Sequence, residues 1–483
     1  MEEIILNIKD FNAIGDGSTD NTQAFQNAIN TIKITKTAKA TIYVPEGIYK
    51  VKYIELRAGV TLRGDGMNSQ IVLDENSKAE ALISNTVETE NGNEIDIHIK
   101  DLFLWGGFDY SINNNPSVII DAIKLKGTYF SSVENCKIAN FSGNGINMTQ
   151  GNAYYNTNYI KDCIIYNNNK YGIFADGSGA DFHVQGGDIG KNKEGNIILF
   201  SPSSSISNVK AIWGSTNGNG ITVSGLNVQI VGNNIEGNAK CGIEVYSSNC
   251  FISSNKIYSN SASNINGSNE NKYKFGAIEI VHNTNNPVTN TNILSNQILG
   301  DLYESSIKYG IRNSGLNTSI YSNSIFVDPS NGGVNNKNLQ AVISSFPIES
   351  DFNWIKTNVL IKSKKDILVK PNTFQILELQ EPSIDIENNI ENNSFKAINE
   401  GLYTFKLKAL INSPNINNIE SSIKILDSKK NVYVLSKVEF GTIAFSADIY
   451  LKKDEAIYFS IESKNPATIV KEQFTLSVRK AIV

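Results

Sequence analysis

Two glutamates and one arginine in the middle of the chain are the residues best placed to do chemistry. Glu244, Glu279 and Arg312 take the same outward position in three successive short strands, when the strands are aligned by their alternation of apolar and polar residues. Equivalent positions of neighbouring parallel strands lie about 4.8 Å apart. We therefore expect the two carboxylates to stack directly, with the guanidinium one step further along.

A stacked carboxylate pair can act as an acid and a base. Two carboxylates within about 5 Å disfavour double ionisation, so the pair divides into a proton donor and a base or nucleophile. A glycosidase needs such a pair, with its carboxyl groups about 5–5.5 Å apart for retention or about 6.5–9.5 Å apart for inversion. The alternative is an ion ladder on a solvated face, which would only stabilise the surface.

The alignment itself has one alternative. Counting each strand from its glycine sets Ile278 opposite Glu244 and puts Glu279 in the apolar core. Burial of an uncompensated carboxylate is costly. We therefore prefer the alignment by apolar phase, which predicts that Glu279 lies on the outer face.

Further polar and aromatic residues near the pair are candidates for holding a sugar polymer. Tyr246 and Asp176 belong to a second outward column, and Asp181 lies close enough in sequence to Asp176 to form another acidic pair. The two 34-residue intervals between glycines contain insertions that we expect to wall a groove. The predicted substrate-binding residues are Arg312, Tyr246, Asp176, His282, Tyr273 and Tyr303.

The elements that must position these residues form a repeat. A glycine followed by a short apolar strand recurs at Gly145, Gly172, Gly195, Gly220, Gly242, Gly276 and Gly310, with Asn- and Gly-rich turns between. Self-similarity at 20 to 50 residues indicates stacked units that bury their apolar faces against one another. No ten-residue helical pattern separates the strands, which excludes leucine-rich and helical repeats. We predict an all-β chain whose main part is a right-handed parallel β-helix, with one rung per repeat.

The N-terminal segment contains the most specific motif. Asp16-Gly-Ser-Thr-Asp20 leads from a strand into a helix, which Asp20 is predicted to cap with Gln23 at the return position. Pro45-Glu-Gly47 then ends the following strand. These motifs resemble the start of the pectate-lyase-like (pectin-lyase-like) superfamily, which includes phage tailspikes and polysaccharide depolymerases. The resemblance covers residues 4–360, and it implies that the helix covers the open end of the β-helix.

The C-terminal part has a different composition. From about Pro371 glycine and asparagine become rarer and longer alternating strands appear, which predicts an antiparallel β-sandwich or jelly roll. The Gly401-Leu-Tyr-Thr-Phe405 strand is similar to C1q/TNF-like jelly rolls, which implies trimerisation, with carbohydrate binding as the rival role. The predicted domains are an N-terminal cap at 1–73, the β-helix at 74–365 and the β-sandwich at 366–483.

Composition excludes several classes of function. The 483 residues carry a net charge of −5 without a long charge run, so nucleic-acid binding is not expected. No run of eighteen apolar residues is present to span a membrane, and the start of the chain shows no signal peptide. Three scattered histidines do not make a metal site, and we expect neither a metal nor another cofactor. Cys136 and Cys163 are expected to be buried, stacked thiols.

The leading hypothesis is a phage tailspike or tail-fibre type protein. It would be a homotrimer on the virion tail, in contact with other tail proteins, that binds and hydrolyses a bacterial surface polysaccharide or wall teichoic acid. Otherwise we expect an extracellular or cell-surface protein. One alternative is a non-catalytic adhesin. Another is a lyase in which Tyr246 or Arg312 abstracts a proton, while a glutamate neutralises the uronate. The Asp-Asp dyad of polygalacturonases and the Ca²⁺ cluster of pectate lyases are not found, so pectin is not favoured.

Overall fold

The computed structural model describes most of the chain, namely residues 4–32, 39–86, 94–112, 115–151, 154–261, 274–281, 288–300, 307, 309–327, 340–344, 353–355, 359–362, 366–377, 384–385, 390–391, 393–397, 401–412, 421–437, 442–470 and 474–482. The chain forms two compact units. The first comprises Met1–Asn296, Glu304–Ser319 and Ile343–Glu349. The second comprises Gln297–Tyr303, Ile320–Val342 and Ser350–Val483.

The first unit is a parallel β-helix made of three sheets, as predicted. Each turn of chain passes through one strand of each sheet in order, for example His98–Lys100, Phe103–Trp105 and Asp121–Lys126, before it returns to the first sheet at Ser132–Glu134. The pairing between successive turns is parallel throughout these strands.

The strands of the first unit are short. The first sheet contains Ile4–Asn7, Ala40–Tyr43, Val60–Arg63, Glu94–Ile95, His98–Lys100, Thr128–Tyr129, Ser132–Glu134, Asn156–Lys161, Ala180–Gln185, Ser205–Ser207, Gln229–Val231, Phe251–Ser253 and Asn292–Leu294. The second sheet contains Asp16–Asp20, Gly47–Val51, Ser69–Leu73, Phe103–Trp105, Lys137–Ala139, Ile164–Tyr166, Asp188–Gly190, Ala211–Trp213, Asn234–Glu236 and Lys256–Tyr258. The third sheet contains Ile54–Leu56, Ala81–Asn85, Asp121–Lys126, Ile146–Thr149, Tyr171–Ala175, Gly195–Leu199, Ile221–Val223, Ile243–Val245, Gly276–Ile280 and Tyr309–Asn313.

Alternation along the strands separates an apolar interior from an outer face. On the second sheet, the inward positions of six successive rungs are all isoleucine and are at most 1% exposed: Ile138, Ile165, Ile189, Ile212, Ile235 and Ile257. A β-branched side chain packs well against the same residue type one rung away. The interior is therefore held together by contacts between identical residues of neighbouring rungs.

Buried asparagines join the rungs at the corners. Asn233, Asn255 and Asn296 stack in one ladder, in which each amide donates to the carbonyl oxygen of the next side chain at 2.9–3.0 Å. A second ladder runs through Asn238 and Asn260. All five are at most 2% exposed. Because the side-chain amides also bond to backbone groups, the ladders satisfy polar atoms that the tight corners would leave unpaired.

The N-terminal helix spans Thr22–Thr31 and follows a 3-10 turn at Ile8–Phe11; a second 3-10 turn is Gly66–Asn68. Ala24, Phe25, Ala28 and Ile29 are buried, as the apolar spacing indicates. The predicted cap was wrong by one residue, because Asn21 precedes the helix and Asp20 accepts from the Thr22 N–H at 2.9 Å.

Gln23 does not complete the predicted capping box. Its amide donates to Asn27 instead, at 2.6 Å. The side chain of Asn21 bonds back to both backbone groups of Ile14, so it is not available to cap the helix. The contact of Asn21 with Ile14, in the segment before the helix, therefore determines how the helix begins.

The four cysteines are buried free thiols, which confirms the expectation for Cys136 and Cys163. The Cys136 carbonyl accepts from the N–H of Ile164, the residue after Cys163, which places the two thiols at equivalent points of adjacent rungs. Burial, and secondly the neighbouring Cys163, raise the pKa of Cys136. The Cys136 thiol is therefore not poised for reaction near neutral pH.

The second unit contains the C-terminal antiparallel sheets. Its strands are Gln297–Gly300, Ser324–Val327, Asn353–Ile355, Val359–Lys362, Ile367–Val369, Gln375–Ile376, Ile384–Asp385, Ile390–Glu391, Ser394–Lys396, Gly401–Asn412, Ser421–Leu426, Val432–Lys437, Thr442–Leu451, Ala456–Ser463, Ala467–Ile469 and Thr475–Ile482. Two further strands, Ser319–Tyr321 and Gln340–Ser344, lie at the boundaries of the units.

The core of the second unit contains an aromatic cluster. Gly401–Asn412 pairs antiparallel with Thr442–Leu451 and with Thr475–Ile482. Phe395 lies 5.2 Å from Tyr403 and 5.3 Å from Phe405, between ring centroids, and all three are fully buried. The predicted antiparallel architecture is confirmed, and the finer prediction of a jelly roll stays a prediction. Among the residues described, no helix is long and apolar enough to cross a membrane.

Candidate functional site

The three candidate residues lie in one column on the outer face of the third sheet. Glu244 pairs with Glu279, and Glu279 pairs with Arg312, in strands Ile243–Val245, Gly276–Ile280 and Tyr309–Asn313. Ile278 pairs with Ile243 and Ile311 on the inner side. The alignment by apolar phase is therefore confirmed, and the alternative that opposed Ile278 to Glu244 is wrong.

Glu279 is nevertheless fully buried, which corrects the expectation of a solvated side chain. Its Oε1 accepts the Gly276 N–H at 2.6 Å, and its Oε2 forms an ion pair with Nη2 of Arg312. These two charge-assisted contacts offset the desolvation of the carboxylate. A Cβ on Gly276 would lie 3.1 Å from Cγ of Glu279, so the close approach of this N–H favours glycine.

Arg312 connects the buried carboxylate with solvent. Its side chain is 42% exposed, against 1% for Glu279. Its guanidinium lies 5.5 Å from the ring centroid of Tyr309, within range of a cation–π contact. The arginine is thus held from two sides, and its exposed part can meet an anionic group of a ligand.

Glu244 is the accessible carboxylate of the pair. Its side chain is half-buried, and its Oε2 accepts from the Asn219 amide at 2.5 Å. Asn219 is itself fixed, since its amide also donates to Thr222 Oγ1 at 3.0 Å and its Oδ1 accepts the Cys241 N–H at 3.0 Å. Carboxylate oxygens of Glu244 and Glu279 lie within 4.8 Å of each other, which confirms the expected proximity.

Tyr246 stands beside Glu244 and is 38% exposed. Its pKa is raised by burial first, and then by the charge of Glu244 and a hydrogen bond to it. A phenol with a raised pKa keeps its proton near neutral pH, so Tyr246 is suited to donate a hydrogen bond.

Cys241 completes the only cluster of three metal-ligand side chains among the residues described. Its Sγ and oxygens of Glu244 and Glu279 all lie within 4.8 Å of one another. The pKa of Cys241 is raised well above its usual value, by burial first and then by the charges of Glu279 and Glu244. A neutral thiol is a poor ligand, and Arg312 already holds Glu279. These residues therefore fit a metal ion poorly.

An aromatic surface lies on the same face, on the rung of Glu244 and on the rungs that precede it. Phe200 and Tyr246 lie two rungs apart in the second outward column, with Ser224 between them, and each ring is 38% exposed. Phe174 lies 5.9 Å from Phe200 and 6.0 Å from Tyr171. Phe174 and Phe200 were not among the candidate residues, because their contact is visible only in the folded chain.

Asp176 is not brought to the carboxylate pair. It lies three rungs before Tyr246 in the second column, and its carboxylate accepts from Thr149 Oγ1 at 2.6 Å and from the Ser178 N–H at 2.9 Å. Asp181 lies within the strand Ala180–Gln185, with a φ of 53°. His282, Tyr273 and Tyr303 fall outside the described residues. Cys241 and Asn219 were missed, and no feature of the sequence marks them.

Comparison with known proteins places the β-helix in a wider group. Residues 5–244 match the family model described as "Rhamnogalacturonase A/epimerase, pectate lyase-like". Among curated relatives, Alginate lyase 7 of Azotobacter vinelandii is 28% identical over 181 residues, which is 35% of this chain. The match spans 20% of the length of that relative.

Solved structures share the fold at low sequence identity. The enzymatically active domain of tailspike protein 2 of bacteriophage CBA120 is 12% identical, with a TM-score of 0.54 over 99% of this chain and 79% of that chain. PfbA, a surface adhesin of Streptococcus pneumoniae, is 15% identical, with a TM-score of 0.53 over 78% of this chain and 97% of that chain. At these identities the likeness concerns the fold alone.

Proposed function

We propose that the chain, whose residues 5–244 match the pectate-lyase-like family model, binds a polysaccharide on the outer face of the third sheet and hydrolyses it beside Glu244. The observation that carries the proposal is the stacked pair of carboxylates, one half-buried and one fully buried, next to an exposed tyrosine and an exposed arginine. A glycosidic bond needs a proton for its leaving oxygen and negative charge near the developing oxocarbenium ion.

The two glutamates would have different roles. Glu244 can touch a substrate, and we assign it the transfer of the proton to the glycosidic oxygen. Glu279 lies beneath the surface with its charge held by Arg312 and the Gly276 N–H. It would act as the negative neighbour that stabilises positive charge on the sugar, while a water molecule adds to the anomeric carbon and gives its proton to the Glu244 carboxylate.

A lyase reaction is less well supported by the same geometry. The raised pKa of Tyr246 makes its phenol a weak candidate for abstracting a proton near neutral pH. Arg312 is paired with Glu279, so it is not a free base. The similarity to an alginate lyase keeps an anionic, uronate-containing polymer among the substrates to be tested.

Binding without cleavage is the second candidate function. The observation in its favour is the complete burial of Glu279, which removes one carboxylate from direct contact with a ligand. In that case Arg312, Tyr246 and Phe200 would form a glycan-binding face, and the glutamates would only hold the arginine in place.

We propose that the protein is part of a bacteriophage tail and acts as a homotrimer. Its ligand would be a bacterial surface polysaccharide or wall teichoic acid. Two observations support it. The fold is shared with a phage tailspike over nearly the whole chain, and antiparallel sheets follow the β-helix. An extracellular or cell-surface protein is the alternative setting.

Glu244→Gln tests the proposed reaction. The exchange preserves the side-chain shape and the Asn219 contact, so we expect turnover to fall by about 10²-fold or more while polymer binding persists. The assay would follow the product size of purified capsular polysaccharides, wall teichoic acid and alginate, together with the ultraviolet absorbance of unsaturated products. Glu134→Gln, a half-buried glutamate on the first sheet, is the matched control and should retain full activity.

The outcomes separate the candidates. Full activity of Glu244→Gln on a polymer that the wild type cleaves would refute the assigned role. Unsaturated products would replace hydrolysis by a lyase reaction. Tight binding without any change in product size would favour the adhesin.

A further inference from the structure

The second sheet carries a column of aromatic side chains on its outer face, separate from the carboxylate site. Paired positions of seven successive rungs read Trp105, Ala139, Tyr166, Gly190, Trp213, Glu236 and Tyr258. An aromatic residue thus occurs on every second rung, at intervals of about 9.6 Å. A Cβ on Gly190 would lie 2.4 Å from Nε1 of Trp213, so the indole lies directly against this glycine.

Polar groups accompany these rings. The distances from lysine Nζ to ring centroid are 5.5 Å for Lys137 and Tyr166, 5.1 Å for Lys191 and Trp213, and 5.0 Å for Lys256 and Tyr258. The indole N–H of Trp213 donates to Asp188 at 2.5 Å. Aromatic planes with donors and acceptors at their edges suit sugars, whose C–H faces stack on rings while their hydroxyls form hydrogen bonds.

An open cavity of about 390 Å³ adjoins the column at the corner that follows the second sheet. Asn140 and Lys191, which line it, directly follow Ala139 and Gly190 of the column. Phe108, Asp109 and Tyr110 line its other side. The hydroxyl of Tyr110 donates to the Lys191 carbonyl at 2.7 Å, which fastens the 106–112 segment to the corner. The volume lies within the range of ligand sites, about 300–1,000 Å³.

One lining residue has an unmet hydrogen-bonding need. Oδ1 of Asn140 is buried and has no hydrogen-bond partner in the described part of the chain, whereas its amide donates to the Phe108 carbonyl at 3.0 Å. A buried acceptor without a donor is unfavourable, and such atoms are rare in folded proteins. A ligand hydroxyl would satisfy it. Asp109, whose pKa is lowered by hydrogen bonds from Ser111, adds an ionised acceptor at the same cavity.

We propose that this cavity and the aromatic column form a second carbohydrate-binding site, which holds an extended polysaccharide strand without cleaving it. The ligand class follows from the proposed function, and the inference rests on it in that respect. Two observations favour a glycan as the occupant. The two-rung interval between rings is close to the length of two pyranose units, and the cavity combines a ring, an amide, a carboxylate and an ammonium around one unmet acceptor.

Two variants address the cavity without touching Glu244. Phe108→Ala removes a lining ring. Asn140→Gly removes the amide at a backbone φ of 63°, which glycine adopts without strain. Asn208→Gly is the matched control, because Asn208 is exposed and has a φ of 53° at the corner between the first and second sheets.

Binding and cleavage would be measured separately with alginate, capsular polysaccharides and wall teichoic acid. We expect both cavity variants to bind long chains at least about tenfold more weakly by titration calorimetry. The turnover number on the shortest cleaved oligosaccharide should match the wild type, as should all properties of Asn208→Gly. The mass in solution should not change in any variant.

Wild-type affinity of both cavity variants for a polymer that the native protein binds would overturn the inference. A change in oligomeric mass would also overturn it, because the face would then be a contact between copies of the chain. The proposed function is refuted by a different result, full activity of Glu244→Gln. That result would not affect how the binding affinities of the cavity variants are interpreted. A wild-type protein that binds none of the three polymer classes would refute both.

Discussion

Glu279 destabilises the fold by burying a charge, and at the same time it holds Arg312 in the site. The carboxylate is fully buried, and among the residues described its charge is balanced by the Arg312 guanidinium and the Gly276 N–H. Removal of one partner from a buried ion pair leaves an uncompensated charge, whereas removal of both can be nearly neutral. The stability of the pair is therefore coupled to the position of the exposed arginine.

Arg312→Ala should lower both stability and affinity. We expect the free energy of unfolding to fall by about 2 kcal/mol, below the usual 3–5 kcal/mol for a fully buried pair because the guanidinium is partly exposed. Urea denaturation would measure it. The double variant Arg312→Ala/Glu279→Gln should recover most of the loss, and a double variant less stable than Arg312→Ala would contradict this account. Binding of an anionic polymer should also weaken in Arg312→Ala, by less at high salt.

Two histidines on the first sheet make stability depend on pH. Burial lowers the pKa of His98 and of His183, and Nδ1 of each lies within 2.9 Å of a serine Oγ. A folded-state pKa below the unfolded value of about 6.5 means that the unfolded chain binds more protons as the pH falls. Stability should therefore be complete above about pH 7 and decline toward about pH 5, by at most about 1.4 kcal/mol per pH unit for each histidine.

Urea midpoints across this pH range would check the histidine effect. The variants His98→Asn and His183→Asn should each flatten the curve. A curve that stays equally steep in the double variant would assign the decline to other groups.

The residue scale also shows where sequence reasoning stops. The column of Glu244, Glu279 and Arg312 was predictable, because the apolar phase of each strand decides which side chains face outward. The burial of Glu279 was not, because it depends on what surrounds the strand in three dimensions. Trp213 alternates with apolar neighbours, and only the pairing with Gly190 shows that its ring lies outside, against the space that a missing side chain leaves.

At the scale of elements, the asparagine ladders join one rung to the next. Asn255 accepts from the backbone N–H and the amide of Asn233, and it donates to Ile230 and Asn296, all at 2.9–3.0 Å. The Asn- and Gly-rich turns were visible in the sequence, and the ladders follow from stacking them at one-rung intervals. The helix cap, in contrast, was predicted one residue early, because the contact of Asn21 with Ile14 involves a residue outside the capping motif.

Asn255→Ala should be strongly destabilising. It leaves buried donors and acceptors on both neighbouring rungs without partners, each at a cost of about 1–3 kcal/mol, so we expect a loss of about 3 kcal/mol in the free energy of unfolding. Asn217→Ala, at an exposed turn residue, is the control and should change stability little. Equal unfolding curves for the two variants would show that the ladder contributes no net stability.

At the scale of the whole molecule, the second unit exposes several large apolar side chains. Its core is complete in itself, with Phe395, Phe405 and Phe459 fully buried, yet Leu368 is 72% exposed, Tyr450 53% and Phe374 43%. Exposed apolar side chains of this kind mark contact surfaces when they cluster. We proposed a homotrimer, and these residues are where its contacts would be tested.

The native protein should sediment as a species of three times the 53.0 kDa of one chain at micromolar concentration. Leu368→Lys combined with Phe374→Lys should shift it toward smaller species, because a desolvated ammonium at a contact is unfavourable. Sedimentation equilibrium would measure both proteins. A monomeric wild type at this concentration would contradict the proposed trimer.

The one-rung spacing of the charged column has a consequence for how such a protein evolves. Insertion or loss of one turn of chain between Glu279 and Arg312 would change the distance between their rungs by about 4.8 Å. The inner face of the remaining rungs would stay the same. Point mutations change which group a rung presents, whereas the distance between groups changes only in whole steps. Divergent descendants should therefore differ in which rung carries each charge, and new specificities should arise by shuffling rungs as intact units.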